Sequence, residues 1–348
     1  MTPRNGQTMK AVMYHGPKKI KLEDVPVRLP APGEVLLKVG AALTCGTDFK
    51  AYRQGHKVLL GDLPAPFGHE LTGTVAAVGA GVEGFRLGDR VVAANSAPCD
   101  ACFFCKKGQP QLCDDLKLHN GAYAEYNLVP AHIVRHNLYE IPDNVPFEVA
   151  ALSEPFSCAM HAVDVLDVSQ GERVAVIGAG IMSMLLLEAL RARGAHVIVV
   201  GRSRPPLEKA LKLGAGAVVS ATDADPVDAI KTMTDGRGAD CVFEAVGKVD
   251  TWNQGIDMVR KGGKVCLFGG CAQGTRVPID AHRVHYGQIS LYGVFHHTPN
   301  YFRQALELLS SGKINTGSLI ESSIRLHEVP EYFERMHMRS NAKVAVIP

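Results

Sequence analysis

Between residues 173 and 292 the chain alternates short apolar runs with helical patterns, and this alternation constrains the fold more than any other feature. Six runs of strand length are found at 173–177, 196–200, 217–219, 240–243, 264–268 and 289–292. Helical patterns lie between them at 182–192, 206–213, 226–233 and 251–259. Strands that alternate with helices form a mainly parallel sheet covered on both faces. The sequence therefore predicts an α/β fold with a doubly wound sheet.

A glycine-rich turn joins the first of these strands to the first helix. Its residues are Gly178, Ala179, Gly180, Ile181, Met182 and Ser183. The first glycine permits a tight turn, and the second lets backbone N–H groups approach a pyrophosphate at the helix N-terminus. Ser183 stands where a third glycine is usual, and it is still small enough for helix and strand to approach closely. The turn predicts a dinucleotide site, the alternative being a purely structural turn.

The end of the second strand predicts which dinucleotide is bound. An acidic residue there would bind the ribose 2′-hydroxyl of NAD, but the position holds Gly201. Arg202, Ser203 and Arg204 follow and offer two guanidinium groups and a hydroxyl to a 2′-phosphate. We expect NADP in preference to NAD. In the alternative, the arginines are solvated and NAD binds without an acidic partner.

Three further positions are expected to contact the cofactor. Val246 and Gly269 follow the fourth and fifth strands, at the sheet edge where ligands of open α/β folds collect. Phe295 follows the last strand, where the chain leaves the sheet. We expect all three beside the dinucleotide.

The rest of the chain has a different pattern. Before residue 150, apolar runs such as 34–40, 73–78 and 89–93 are broken by glycine and proline, which predicts a β-rich domain. The pattern changes at Glu154 and Pro155. From about 296 mixed structure resumes, with a helix near 300–310 and a strand at 343–347. Because Met9 opens the first apolar alternation, residues 1–8 are interpreted as an extension.

Composition excludes several classes of protein. The chain has 348 residues with 37 Lys and Arg against 35 Asp and Glu, a formal charge of +2, so we expect no nucleic acid as partner. It has no apolar run of about 18 residues, so we expect no membrane interaction. The N-terminal residues lack the apolar stretch of a signal peptide, which makes the cytoplasm the expected location.

Four of the nine cysteines are clustered. Cys99, Cys102, Cys105 and Cys113 have the spacing C-x2-C-x2-C-x7-C. An odd total and this clustering favour metal over disulfides. Four thiolates at this spacing can complete the tetrahedral shell of a structural zinc, which we expect in a lobe over residues 95–115. An iron–sulfur cluster and four buried thiols are the alternatives.

A second set of metal-ligating residues is scattered along the sequence. Its members are Cys45, His69, Glu70 and Glu154. A thiolate, an imidazole and a carboxylate leave the fourth position of zinc open, as a catalytic zinc requires. Taken singly, His69 and Cys45 are more typical of structural residues, so the hypothesis depends on the whole set.

The order of these motifs resembles that of a known family. The matching segments are Cys45-x-Thr47-Asp48, Gly68-His69-Glu70-x2-Gly73-x5-Gly79-x2-Val82, the four-cysteine segment, Glu154-Pro155 and the glycine turn. Over nearly its whole length the chain resembles the zinc-containing medium-chain dehydrogenase/reductases. Glu154 stands where the alcohol dehydrogenases proper have a cysteine, which makes the chain similar to the sorbitol and threonine dehydrogenase branch.

This resemblance implies the domain organisation. It implies a GroES-like catalytic domain over residues 9–155 and 296–348, interrupted by a Rossmann domain over 156–295, with the active site between the two. It also implies a homo-oligomer of two or four copies.

The resemblance also implies the roles of site residues. Cys45 and His69 would bind the catalytic zinc, with Glu70 and Glu154 as ligands that exchange with water; which carboxylate binds directly stays open. The zinc would favour an alkoxide, which passes hydride to the nicotinamide. Thr47 matches the hydroxyl of a proton relay, and Lys50 replaces the histidine that ends this relay in many relatives. The relay would end at Lys50 or in water.

Polar residues near these motifs favour a substrate with several hydroxyl groups. The candidate contacts are Tyr52, His119, His296 and His297, and Arg283 also lies near this region of the sequence. Buried polar groups are costly unless they have partners, and a hydroxyl-rich substrate would supply them. Packing and a subunit interface are the alternatives.

Together these features predict an oxidoreductase with two zinc ions per chain. We expect it to interconvert a secondary alcohol and a ketone on a polyol, sugar or cyclitol, with NADP favoured over NAD. Threonine-type and simple alcohols are alternative substrates. A nucleotide-binding protein without turnover is the alternative of another class.

Overall fold

The computed structural model describes residues 4, 6–335 and 342–348. The chain divides into two compact units, with boundaries at Glu154/Pro155 and His296/His297. The β-rich unit contains the chain up to Glu154 and from His297 onward, and the parallel-sheet unit is Pro155–His296. Across the described ranges, no helix combines the length and the apolar character needed to cross a bilayer.

The N-terminal part of the β-rich unit consists of short strands and helices. Its strands are β1 (Thr8–Gly16), β2 (Lys19–Pro26), β3 (Val35–Leu43), β4 (Ala65–Pro66), β5 (Glu70–Val78), β6 (Arg90–Ala93), β7 (Ser96–Ala97), β8 (Lys117–Leu118), β9 (Tyr126–Val129) and β10 (Leu138–Glu140). Its helices are α1 (Gly46–Gln54), α2 (Lys57–Leu60), α3 (Phe103–Lys106), α4 (Ala131–Asn137) and α5 (Phe147–Ala150).

Helix α6 (Ser153–Val165) leads into the parallel-sheet unit. The strands of that unit are β11 (Arg173–Ile177), β12 (His196–Gly201), β13 (Ala217–Ser220), β14 (Ala239–Glu244), β15 (Val259–Leu267) and β16 (Ser290–Gly293). Its helices are α7 (Ile181–Ala192), α8 (Arg204–Lys212), α9 (Pro226–Met233), α10 (Val249–Met258) and α11 (Ala281–Gly287). The chain then returns to the β-rich unit with α12 (Pro299–Ser310), β17 (Ile320–Arg325), α13 (Val329–Arg335) and β18 (Lys343–Ile347).

The main sheet of the β-rich unit brings distant segments side by side. Its strand order is β10-β6-β5-β3-β18-β17, and β9 also pairs with β3. The antiparallel pairing of β3 with β5 sets Leu43 opposite Glu70, and the pairing with β18 sets Leu43 opposite Ala345. The end of β3, the start of β5 and the start of β18 therefore meet at one edge of the sheet.

Glycine is required where this sheet meets a neighbouring loop. A Cβ atom at Gly79 would lie 1.9 Å from the carbonyl oxygen of Ala31. At Gly73 a Cβ atom would lie 2.4 Å from the carbonyl oxygen of Lys38. Both glycines belong to the motif that begins at Gly68, and close packing of the backbone accounts for them.

The parallel-sheet unit confirms the predicted α/β fold. All neighbouring strands are parallel, in the order β13-β12-β11-β14-β15-β16. Its core is formed by apolar side chains of the strands and helices, such as Ile177, Val242 and Ile256. Two details differ from the prediction: β15 begins at Val259, and α11 was not predicted, since its sequence has no apolar period.

The structure changes the predicted start of the β-rich unit. Residues 1–3 and 5 of the predicted extension lie outside the described residues, but Thr8 is the first residue of β1 and pairs with Pro26. The β-rich unit therefore includes Thr8. The predicted change of pattern at Glu154 and Pro155 falls at the boundary between the two units, and both residues lie in the first turn of α6. Proline is tolerated there because the first N–H groups of a helix have no partner within it.

Candidate active site and metal centres

Three metal-ligating side chains meet at one edge of the β-rich sheet. Cys45 is the residue before α1, and His69 and Glu70 stand at the start of β5. One ligand atom from each, the Cys45 Sγ, a His69 ring nitrogen and a Glu70 carboxylate oxygen, lies within 4.8 Å of the others. Thiolate, imidazole and carboxylate are the donors that catalytic zinc sites use, so this set fits zinc.

His69 is held in a defined orientation. Its Nδ1 lies 2.7 Å from Oδ1 of Asp48, and the hydroxyl of Tyr123 donates to Oδ2 of the same carboxylate at 2.8 Å. With Nδ1 bonded to Asp48, Nε2 is the nitrogen left for a metal. Asp48 therefore orients His69. Tyr123 was not predicted at all.

Glu70 is paired with a lysine that the sequence did not reveal. Lys343, the first residue of β18, donates through Nζ to Oε1 of Glu70 at 2.5 Å, and both side chains are almost completely buried. Oε2 of Glu70 is also buried and accepts no hydrogen bond from any residue that the structure describes. A buried carboxylate oxygen that has no hydrogen bond and belongs to a group with Cys45 and His69 fits the role of a metal ligand.

The charges around Cys45 favour its thiolate. Burial alone would raise the pKa of this thiol, but Lys343 and His69 outweigh burial and lower the pKa to about 6. The backbone N–H of Thr47 also donates to Sγ at 3.4 Å. In turn, Cys45 and Glu70 raise the pKa of Lys343 above its ordinary value against the effect of burial, so its ammonium group stays charged.

Glu154 is the second buried carboxylate of this region. Burial raises its pKa to about 7, and the charges of His69, Glu70 and Lys343 all act on it. Its Oε1 accepts a hydrogen bond of 2.9 Å from the side-chain amide of Asn95, another residue that the sequence did not indicate. Glu154 thus interacts electrostatically with His69 and Glu70, while the three donors that meet within 4.8 Å are those of Cys45, His69 and Glu70.

The four-cysteine lobe forms a second metal-ligating cluster. The Sγ atoms of Cys99, Cys102, Cys105 and Cys113 lie within 4.8 Å of one another. The Cys102 and Cys113 sulfurs are 3.9 Å apart. With Zn–S bonds of about 2.3 Å, two thiolates on a tetrahedral ion are separated by about 3.8 Å, so the lobe fits zinc.

The two residues of the predicted proton relay lie on α1. Thr47 and Lys50 are both exposed, and α1 begins directly after Cys45. Both side chains are therefore accessible from solvent. Their role in proton transfer stays a prediction.

Two predicted substrate contacts have other partners in the structure. Tyr52 is 5% exposed and packs edge-on against Phe333 in the core of the β-rich unit, which corrects its assignment to a substrate pocket. Arg283 binds backbone carbonyl oxygens at the end of α10, among them those of Ile256 and Val259, and is structural.

The predicted histidines have different hydrogen-bond partners. His119 bonds through Nε2 to Oδ1 of Asn127 at 2.6 Å and lies on the wall of a cavity of about 800 Å³. His296 ends the parallel-sheet unit, where its carbonyl oxygen bonds to Nδ1 of His161. His297 is 2% exposed in the β-rich unit and bonds to Asn95, and one of its ring nitrogens lies within 4.8 Å of a carboxylate oxygen of Glu154.

His119 gives the free energy of unfolding a distinct dependence on pH. Burial lowers its pKa to about 4, so between pH 6.5 and 4 the unfolded chain binds a proton here that the folded chain does not. Stability must fall as pH falls through this window. We expect the wild type to lose about 1 to 2 kcal/mol more than His119→Gln between pH 7 and 5, measured by urea unfolding. Equal losses would contradict the assignment.

The glycine turn has the predicted geometry. Gly178 has a φ of +111°, and a Cβ atom there would lie 3.1 Å from both Oγ of Ser183 and a methyl group of Val246. Gly180 precedes α7, so Ile181 and Met182 open this helix with their N–H groups. Ser183 is buried directly behind the turn. The turn thus leaves free N–H groups at the start of a twelve-residue helix, as a pyrophosphate requires.

The other predicted cofactor residues lie at the same carboxyl edge of the parallel sheet. Arg202, Ser203 and Arg204 are exposed directly after β12, and Val246 and Phe295 are exposed after β14 and β16. Gly269 follows β15.

A buried carboxylate shapes this edge. Glu244 accepts the N–H groups of Val246 and Gly247 at 2.8 and 2.9 Å and so fixes the loop after β14.

Comparisons with known proteins agree with this fold and with these sets of metal-ligating residues. The family model described as the alcohol dehydrogenase GroES-like domain matches residues 31–143, and that of the zinc-binding dehydrogenases matches residues 181–311. Sorbitol dehydrogenase of Bacillus subtilis (strain 168) is 33% identical over 100% of this chain and 99% of its own length. L-threonine 3-dehydrogenase of Pyrococcus furiosus is 32% identical over 97% of this chain and 98% of its own length.

A solved structure shows the same fold. A protein of Sinorhizobium meliloti 1021, described as a zinc-binding dehydrogenase and bound to NADP, superposes with a TM-score of 0.91 at 30% identity and covers 98% of this chain and 100% of its own. The fold and the donor sets define a zinc-binding oxidoreductase with a nicotinamide cofactor. The chain belongs to the zinc-containing medium-chain alcohol dehydrogenase family.

Proposed function

We propose that this protein is a zinc-dependent dehydrogenase that interconverts a secondary alcohol and a ketone on a polyol, sugar or cyclitol, with NADP as the favoured cofactor. One observation carries the proposal: Cys45, His69 and Glu70 present thiolate, imidazole and carboxylate donors within 4.8 Å of one another. The similarity to sorbitol dehydrogenase over the whole chain supports a hydroxyl-rich substrate. We propose two zinc ions per chain, the second in the four-cysteine lobe.

The residues of the site would have distinct roles in binding metal and in transferring the substrate proton. Cys45, His69 and one of the two glutamates would hold the catalytic zinc, which when bound lowers the pKa of an alcohol as a Lewis acid does. Asp48 keeps His69 oriented for this task. Thr47 offers a hydroxyl two residues from Cys45 and would accept the substrate proton, passing it to Lys50 or to water.

The preference for NADP is supported by the end of β12. Gly201 offers no carboxylate to a ribose, and a Cβ atom there would lie 2.9 Å from that of Ala179, so a larger side chain has no room. The exposed guanidinium groups of Arg202 and Arg204 follow. The related structure from S. meliloti contains NADP.

Replacing both arginines is expected to weaken NADP specifically. Charge-assisted hydrogen bonds contribute about 1.5 to 3 kcal/mol, so Arg202→Ala/Arg204→Ala should raise the KM for NADP+ about 10- to 100-fold. The KM for NAD+ should stay unchanged, because NAD+ lacks the 2′-phosphate. Arg237→Ala is the control, since Arg237 pairs with Asp235 on the surface of the same unit. An equal effect on both cofactors would exclude a role in 2′-phosphate binding.

The substrate is tested by initial rates of NADP+ and NAD+ reduction. The panel should contain acyclic polyols, cyclitols, aminocyclitols, threonine and simple alcohols, with chelator-treated protein as a control. Turnover of hydroxyl-rich substrates that is lost with the chelator would support the proposal. Turnover of threonine alone would favour the second candidate, a threonine dehydrogenase, which the relative from P. furiosus supports. Absence of turnover would favour a nucleotide-binding protein.

Assembly and location also belong to the proposal. We propose a homo-oligomer of two or four copies that acts in the cytoplasm. Light scattering at micromolar concentration measures the mass of the particle in solution. A mass that corresponds to one chain would refute the homo-oligomer.

A further inference from the structure

A hydrogen-bonded chain of three side chains ends at Glu154. The side-chain amide nitrogen of Asn95 donates to Oε1 of Glu154 at 2.9 Å, and Oδ1 of Asn95 lies 3.1 Å from Nε2 of His297. Glu154, Asn95 and His297 are only 7%, 6% and 2% exposed. They come from the start of α6, the segment between β6 and β7 and the segment before α12. Three distant segments of the β-rich unit thus converge on one carboxylate.

The direction of these hydrogen bonds follows from their chemistry. Oδ1 of Asn95 can only accept, so the hydrogen atom of its bond to His297 must reside on Nε2 of the imidazole. This bond fixes the amide with its NH2 group toward Glu154. If the Asn95 amide were flipped, its oxygen would face the Glu154 carboxylate and its NH2 group would face the N–H of His297. His297 therefore determines which end of Asn95 faces Glu154.

His297 is itself held firmly. Its ring lies 5.6 Å from that of Phe302, which stacks on Tyr139 at 5.8 Å. The Tyr139 hydroxyl donates to the carbonyl oxygen of His136. Thr298, the next residue in the chain, caps α12 through its hydroxyl. Because the imidazole is fixed by packing, the orientation that it imposes on Asn95 is fixed as well.

We propose that Asn95 and His297 are positioning residues of the catalytic zinc site, acting through Glu154. Their hydrogen bonds hold the Glu154 carboxylate in one orientation, as Lys343 holds the Glu70 carboxylate through Oε1. Groups that orient a ligand in this way tune the affinity and the geometry of the metal that it would bind. This inference rests on the proposed function.

The test compares variants that remove a hydrogen bond with variants that retain it. Asn95→Leu removes the donor to Glu154, and His297→Leu removes the donor to Asn95, whereas His297→Gln retains a nitrogen donor. The readouts are the absorption spectrum of Co2+ in the catalytic site, with zinc retained in the four-cysteine lobe, and the Co2+ dissociation constant by chelator competition. Mutation of a residue that hydrogen-bonds to a metal ligand typically lowers metal affinity about 10- to 100-fold.

We expect Asn95→Leu and His297→Leu to weaken Co2+ binding by about 10- to 100-fold and to shift its spectrum. His297→Gln should stay within about threefold of the wild type. Asn127→Leu is the matched control, because it breaks a partly buried Asn–His pair with His119 and should leave the cobalt spectrum unchanged.

Wild-type spectra and affinities in both leucine variants would overturn the proposal. If Asn95→Leu does not fold, the comparison of His297→Leu with His297→Gln still decides, and equal behaviour of these two would refute the role of the hydrogen bond. The proposed function fails separately: a wild type without turnover on any substrate, combined with shifted cobalt spectra in the variants, would refute the substrate assignment and keep the positioning role.

Discussion

Cys45→Ala is expected to lower kcat/KM by about 1,000-fold with every substrate that the protein turns over. The thiolate is one of the three donors that meet within 4.8 Å, and alanine supplies no donor in its place. Loss of Lewis-acid activation accounts for several kcal/mol of the barrier, and about 4 kcal/mol corresponds to a factor of 1,000. The binding of NADP+ should be unaffected, because its predicted site belongs to the parallel-sheet unit.

The measurement pairs steady-state kinetics with zinc content by mass spectrometry. We expect about one zinc per chain in Cys45→Ala and about two in the wild type, since the four-cysteine lobe keeps its ligands. Cys241→Ala serves as the control, because Cys241 is a buried cysteine of the parallel-sheet unit and belongs to neither cluster of metal-ligating residues. A Cys45→Ala variant with two zinc ions and normal rates would contradict the assignment of Cys45.

Lys343→Met is expected to lower the free energy of unfolding by about 3 to 5 kcal/mol, the usual cost of breaking a buried ion pair. The ammonium group of Lys343 lies 2.5 Å from Glu70, and neither side chain is more than 2% exposed. Without Lys343, the buried carboxylate of Glu70 would lose the cation that it is paired with, and a bound metal would have to balance more of its charge. We therefore expect the loss to be larger after treatment with a chelator than before it.

Urea unfolding monitored by fluorescence measures this loss. The double variant Glu70→Gln/Lys343→Met should recover most of it, because it removes both charges together. Lys264→Met provides a matched control in the parallel-sheet unit, where the ammonium group bonds to the carbonyl oxygen of Leu166 and not to a charge. That change should cost about 1 kcal/mol. Equal losses for the two lysines would show that Lys343 contributes no more than a hydrogen bond.

The parallel-sheet unit was predictable because its signals are local. Strands that are buried on both faces have continuous apolar sequences, which can be recognised locally. The bounds of β11, β14 and β16 accordingly lie within two residues of the predicted ones. The glycine turn is equally local. Tyr52 was misassigned for a reason that the sequence contains: it follows Phe49 by three residues and so shares the buried face of α1.

The polar partners of the metal ligands were not predictable in this way. Lys343 and Glu70 are 273 residues apart, and Asn95 and His297 are 202 apart. Neither pair leaves a local pattern, because a lysine at the start of a strand or an asparagine in a loop is ordinary. Only the register of β18 and β5 on the two sides of β3 brings Lys343 to Glu70. The four cysteines were predicted from their spacing and the catalytic ligands from their residue types and the family resemblance, whereas their supporting residues required the structure.

The place of β18 in the sheet has a consequence for biosynthesis. This strand lies between β3 and β17, and it carries Lys343, the partner of Glu70. A ribosome that has completed Glu154 must still add about 190 residues before Lys343 exists, which at ~5–20 residues per second takes about 10 to 40 s. During that interval the nascent chain holds the ligands Cys45, His69 and Glu70 without the cation that balances them. An early metal ion would meet a more strongly anionic and more open set of donors than the finished protein offers.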